Sequence, residues 1–109
     1  MRIWYQSYSK IDYTKSWAYY ETWFKRQLPR VARPDTEIYF HGADKFTPKM
    51  PQYYYYQYLH LGQIIDSGLQ AEREGYDAFV LGGMLDHGRL ELREVLNIPV
   101  LFIGETSFY

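Results

Sequence analysis

The residues best placed by type and spacing to do chemistry lie in Gly82-Gly83-Met84-Leu85-Asp86-His87-Gly88, directly after the apolar run Ala78-Phe79-Val80-Leu81. An unbroken apolar run of this length is the pattern of a strand buried on both faces. Gly82 and Gly83 then allow a sharp turn and a close approach of ligand to backbone. The following helix is expected to begin near Gly88, so the turn ends at free backbone N–H groups and the positive end of a helix dipole. Such a turn can seat a carboxylate or a phosphate. It can equally be an ordinary strand-to-helix connection, although ligands in open α/β sheets do gather at the carboxyl ends of strands.

Other candidates fall at the ends of other apolar runs. Ser7 and Ser9 follow Arg2-Ile3-Trp4-Tyr5 in a polar loop, Gln6 to Ser9, where they either bind an anion or satisfy loop and helix-cap backbone. His41 follows the strand-like Thr36-Glu37-Ile38-Tyr39-Phe40 and is either an acid, base or hydrogen-bond donor, or a surface histidine. Thr106 and Ser107 follow Val100-Leu101-Phe102-Ile103 in the run Gly104-Glu105-Thr106-Ser107. That run looks like the start of a further loop and helix, yet no helix is expected after it.

Helical periods separate these strands. Trp17, Tyr20, Phe24 and Leu28 form one stripe in a helix expected from about Thr14 to Leu28, stopped by Pro29. Ala43 to Pro51 is a loop long enough to cover the strand ends. Tyr54, Tyr58, Leu61, Ile65 and Leu69 keep helical spacing up to Glu74, with Gly75 as the stop. The tyrosines within Tyr53–Tyr58 exceed what one buried face absorbs. They make either an oligomer contact or a packed helix start with partly exposed phenols. A short helix over Arg89–Leu96 carries Leu92, Val95 and Leu96 inward and ends at Asn97 before Pro99.

Alternation of strand and helix predicts an α/β fold: one flavodoxin-like three-layer domain over residues 1–109, with a four-stranded parallel sheet in the order 2-1-3-4. The loops Gln6–Ser9, Phe40–Gly42, Gly82–Gly88 and Gly104–Ser107 then meet at one edge. A chain of 109 residues suits one domain. A net charge of −1 gives no footprint for nucleic acid or an anionic membrane. Without cysteine there is no disulfide, thiolate metal site or thiol nucleophile. His41, His60 and His87 are too scattered to spell a metal motif. No apolar run approaches the roughly 20 residues that span a bilayer. The chain opens on a strand-like segment rather than a signal peptide, and a cytoplasmic protein is expected. The share of aromatic residues, 20% with 13 Tyr, is high.

The segment Ala71-Glu72-Arg73-Glu74-Gly75-Tyr76-Asp77-Ala78-Phe79-Val80-Leu81, the turn Gly82–Gly88, and Asn97-Ile98-Pro99-Val100-Leu101-Phe102-Ile103-Gly104-Glu105 resemble the first lobe of the aspartate/glutamate/hydantoin racemase superfamily, and hydantoin racemases show the closest pattern. The resemblance implies two such lobes facing across a cleft, each supplying a cysteine. One thiolate takes the proton α to a carboxylate or carbonyl; the other thiol returns one on the opposite face, with no cofactor or metal. The family's first cysteine matches position 83, which here is Gly83, as in arylmalonate decarboxylase-like members. Asp86 and Gly88 match the family turn, while His87 replaces its proline and Gln6-Ser7-Tyr8 replaces an Asn-Pro-Asn-like loop.

On this resemblance the chain is an enzyme lobe for cofactor-independent α-proton chemistry on a small carboxylate or hydantoin-like substrate. The backbone N–H groups of Gly83 and Met84, with Ser7, Thr106 and Ser107, would hold substrate oxygens. Asp86 or His87 would act in place of the thiol, unless Asp86 caps the next helix and His87 is exposed. The alternative is a non-catalytic degenerate lobe that binds a carboxylate ligand or a partner. The second lobe is a further stretch of a longer protein, a partner chain, or an identical copy. A nucleotide reading ranks behind both, because there is no Gly-x-Gly-x-x-Gly and no P-loop lysine.

Overall fold

A computed structural model describes residues 1–10, 15–83 and 85–108. In chain order it contains β1 (Arg2–Ser7), α1 (Lys15–Val31), β2 (Glu37–His41), α2 (Tyr54–Arg73), β3 (Ala78–Gly82), α3 (Arg89–Val95), β4 (Val100–Phe102) and α4 (Ile103–Phe108). The strands form a parallel sheet in the order β2-β1-β3-β4, the expected topology. Its register sets Gln6 beside both His41 and Leu81, and Ser7 beside Gly82.

Alternation along β1 divides the side chains between two layers. Tyr5 faces α1, where its ring packs on Phe24 and Phe40 at centroid distances of 5.3 and 5.4 Å. Tyr20 and Phe24 of the predicted stripe do pack against Phe40 of the sheet, half-buried; the side chain of Trp17 lies outside what is described. Trp4 faces the opposite layer and joins Ile64 of α2, Leu92 of α3, Phe79 and Leu81 of β3, and Phe102 of β4 in one cluster. Full burial of each such side chain is worth about 1.5–3 kcal/mol.

Several boundaries differ from the sequence expectation for local reasons. Strand β1 runs on through Gln6 and Ser7, because the buried Gln6 amide is satisfied by the Trp4 indole N–H at 2.8 Å and the Ser7 carbonyl at 3.0 Å. Pro29 does not stop α1, which continues to Val31. In the last turn a proline removes only one hydrogen bond, and the Ala32 N–H still reaches the Leu28 carbonyl at 3.1 Å. The inward face of α2 is not the apolar stripe. Tyr54 and Tyr58 are 86% and 74% exposed, whereas Gln57, His60, Ile64, Gly68 and Ala71 are buried. Leu61, Ile65 and Leu69 only flank that face. Counting apolar residues alone turned the helix by about one position, since two polar residues and a glycine occupy the central line.

At Gly68 a side chain would sit 2.9 Å from Leu92 Cδ2, so its absence lets α3 approach α2. Gly75 ends α2 with φ +81°, as its position predicted. On α3, Leu92 and Leu96 turn inward as expected, but Val95 is 43% exposed because the helix stops there and Leu96 is already extended. Contrary to expectation, Gly104-Glu105-Thr106-Ser107 is not a loop but part of α4, which follows β4 without a break. Among the described residues, no helix is long and apolar enough to cross a membrane.

Candidate functional site

The carboxyl ends of β1 and β3 converge on Tyr8, which sequence reasoning passed over. Its ring is buried against His60 of α2 at a centroid distance of 5.0 Å and against His87 of the β3–α3 turn at 5.7 Å. The phenol hydroxyl donates to the Gln57 carbonyl at 3.4 Å. Burial, and secondarily the charge of Glu91, push its pKa up to about 12, so it is a neutral hydrogen-bond donor at neutral pH.

His60, 1% exposed, is the clasp of this edge. One ring nitrogen, Nε2, bonds the Tyr8 carbonyl. A carbonyl only accepts, so Nε2 carries the proton, and Nδ1 of the neutral ring accepts from the Thr47 hydroxyl at 2.8 Å and the Gln63 amide at 3.1 Å. Desolvation lowers the His60 pKa, against the opposing effect of its bond to Tyr8, which keeps the ring neutral. Gln63 also exchanges two bonds with the Lys45 backbone, 2.9 and 3.0 Å, so α2 holds the 43–51 loop at two points. The signal for His60 was available: it lies at helical spacing from Gln57 and Ile64.

The two glycines of the turn differ. A Cβ on Gly82 would lie 2.5 Å from the Tyr5 hydroxyl and 2.8 Å from its Cζ, so that position is closed. A Cβ on Gly83 would meet nothing nearer than Tyr8 Cβ at 3.7 Å, an ordinary contact. Position 83 therefore has room for a side chain at the mouth of the strand ends, beside Tyr8. Met84 lies outside the described residues.

Asp86 has φ +52° and closes the turn by accepting, through its carbonyl, the Arg89 N–H at 3.3 Å. Its carboxylate does cap a helix, but not the one expected: Oδ1 accepts the Gly104 N–H of α4 at 3.1 Å. The α3 N-cap is Gly88, at φ +86° without a side-chain bond. Beside it Arg93 grips Glu105 through two bonds, 2.6 and 3.1 Å, and holds the Glu105 carboxyl below its usual range. His87 is half-buried rather than exposed, and its Nε2 is buried with no hydrogen-bond partner among the described residues.

The remaining candidates are scattered. Ser7 is buried in the sheet beside Gly82. Ser9 is half-buried, and its carbonyl accepts the Ala43 N–H at 3.0 Å. His41 is the last residue of β2 and stacks on Trp4 at 3.5 Å with an 8° interplanar angle, so its described contacts lie away from the turn. Desolvation lowers its pKa as well. Thr106 and Ser107 are exposed on α4, where the Ser107 hydroxyl bonds the Ile103 carbonyl. The structure thus joins Gly83, Asp86 and His87 in one turn beside Tyr8. Among the described residues, no three His, Asp or Glu side chains cluster to hold a metal ion.

A parallel α/β sheet in this order is shared with known proteins. The fold matches that of allantoin racemase from Klebsiella pneumoniae with a TM-score of 0.78, over 98% of this chain and 41% of that one, at 23% identity. Over 79 residues, 72% of this chain, it is 38% identical to the hydantoin racemase of Pseudomonas sp. (strain NS671). No protein-family model matches. Both likenesses fall within the aspartate/glutamate/hydantoin racemase superfamily. The matched stretch spans 31% of the length of that hydantoin racemase.

Proposed function

We propose that the chain is the substrate-binding lobe of a superfamily enzyme that carries out α-proton chemistry on a small carboxylate or hydantoin-like compound without a cofactor. The observation that carries this reading is the open position at Gly83. The resemblance assigns the family's first cysteine to this position, and here a Cβ would make only ordinary contact with Tyr8, 3.7 Å from its Cβ. The Gly83 backbone N–H is the donor proposed to meet a developing negative charge. One preorganised donor of this kind is worth roughly 3–4 kcal/mol. Asp86 already caps α4, so His87 is the better acid or base among the two side chains of the turn.

The decisive variant is Gly83→Cys, made in the natural protein together with whatever second lobe or partner copy completes the cleft. Its thiolate would take the proton at C5 of a 5-substituted hydantoin, and solvent deuterium would replace that proton. Deuterium incorporation in heavy water above that of the parent is the expected result. An unchanged rate with a folded variant would remove the reading.

The second reading, a non-catalytic module that docks a partner, is favoured by one observation. Tyr53, Tyr54, Tyr55 and Tyr58 are all exposed along the start of α2.

A further inference from the structure

Charge is unevenly distributed along this chain. Residues 15–33, helix α1 and the two residues after it, hold five lysines and arginines against the single acid Glu21. From totals of 12 basic and 13 acidic residues, that leaves seven Lys and Arg against twelve Asp and Glu elsewhere. Lys25 is paired with Glu21 at 2.7 Å. The side chains of Arg26, Arg30 and Arg33 are exposed and have neither an ion pair nor a hydrogen bond among the described residues.

Helix α1 is also bare. None of residues 18–31 is fully buried. Tyr20 and Phe24 lean on Phe40 of the sheet, and a second stripe of Tyr19, Trp23, Arg26 and Arg30, at helical spacing, is exposed along its length. Past the end of that stripe lies an open groove of about 510 Å³, lined by the apolar Met1, Ile3, Val31 and Ile38 together with Arg33 and Asp35. It opens at the amino ends of β1 and β2, the opposite edge of the sheet from Gly83.

Unpaired guanidinium groups fit carboxylates or phosphates, and Trp, Tyr and Arg are the residues that anchor protein interfaces. A concave apolar groove takes inserted side chains, which a flat bilayer surface does not supply. A long polyanion would also run past Glu21, Asp35 and Glu37, which flank the arginines in sequence; a short acidic segment avoids them. Arg26 and Arg30 lie one turn apart, about 6 Å along the axis, the spacing of carboxylates four residues apart on a partner helix. Exposed ion pairs each contribute little, so the arginines orient the partner and speed its encounter, while Trp23 and the groove hold it.

We propose that the outer face of α1 and the groove at its end form a docking surface for an acidic, amphipathic helical segment of a partner protein. Its carboxylates pair with Arg26, Arg30 and Arg33, and its apolar side chains enter the groove. This surface is independent of the strand-end site around Gly83.

The test is fluorescence anisotropy on the full chain with three labelled probes: a helical peptide with glutamates four residues apart and leucines on one face, the same peptide with glutamine for glutamate, and a single-stranded oligonucleotide. The glutamate peptide is expected to bind, and to weaken severalfold between about 50 and 200 mM salt as its charges are screened. Its affinity should fall about tenfold in an Arg26→Gln, Arg30→Gln, Arg33→Gln triple variant, which removes three exposed pairs together. Val31→Glu should weaken it through the groove. All four positions are exposed, so both variants should keep the parent's unfolding midpoint. Failure of the glutamate peptide to bind, equal binding of the glutamine peptide, or unchanged affinity in the triple variant would overturn the proposal. Tighter binding of the oligonucleotide would overturn it as well, and assign the arginines to nucleic acid.

Discussion

Two adjacent glycines show how finely the site is divided. Gly82 lies under the Tyr5 ring, which Phe24 and Phe40 wedge in place, so a methyl group there overpacks the α1 layer. Gly82→Ala should cost about 1–3 kcal/mol, while Gly83→Ala should leave the urea midpoint nearly unchanged. Equal losses at both positions would mean that the room beside Tyr8 is not there. His60 makes a second residue-level prediction. Its folded pKa lies below the ordinary 6.5 because burial disfavours the charged ring. The unfolded chain therefore binds the proton first on acidification. Stability is full above about 6.5 and is lost as pH falls towards the lowered folded value. His41 is shifted the same way and adds to the slope. Chemical unfolding at pH 7.5 and 5.5 should show this loss, and His60→Gln should reduce the difference between the two. An unaltered difference would assign it to other groups. The buried His60 and Gln57 escaped a count of apolar residues because both are polar, although they lie at helical spacing from Ile64; the partners of His60, Thr47 and the Tyr8 carbonyl, come from distant segments.

At the scale of elements, the short helices depend on contacts between turns. Helix α4 starts without a loop, and its Gly104 N–H is met by Asp86 from the β3–α3 turn, eighteen residues earlier in sequence. Removing that acceptor by Asp86→Ala should cost about 0.5–2 kcal/mol, with Asp86→Asn retaining most of the stability. If alanine and asparagine behave alike in thermal unfolding, the cap contributes nothing. The strands themselves were plain in the sequence as the unbroken apolar runs Ala78–Leu81 and Val100–Phe102, but edge strand β4 is covered on one face only, with Leu101 48% exposed. Helix α4 was not, because the contacts that meet it, from Asp86 and Arg93, come from residues outside its own short run.

For the whole molecule, the question is what meets the strand ends and the exposed start of α2. On the partner-docking reading, a second copy covers Tyr54 and Tyr58. Light scattering should then give about twice the 13.2 kDa chain mass, falling to the single-chain mass in a Tyr54→Ser, Tyr58→Ser double variant. A parent chain already at 13.2 kDa would dismiss self-association through this helix.

By itself the sequence determined the order of elements as far as β4, the parallel sheet, its 2-1-3-4 strand order, and the likeness to racemases. These follow from short-range patterns: apolar runs, helical spacing, and glycine at the turns. Only the tertiary structure decided which face of α2 is buried, which helix Asp86 caps, and that Tyr8 rather than His41 stands beside the open position at Gly83. Each depends on pairing between residues distant in sequence, and those pairings exist only once the strands have brought their ends together.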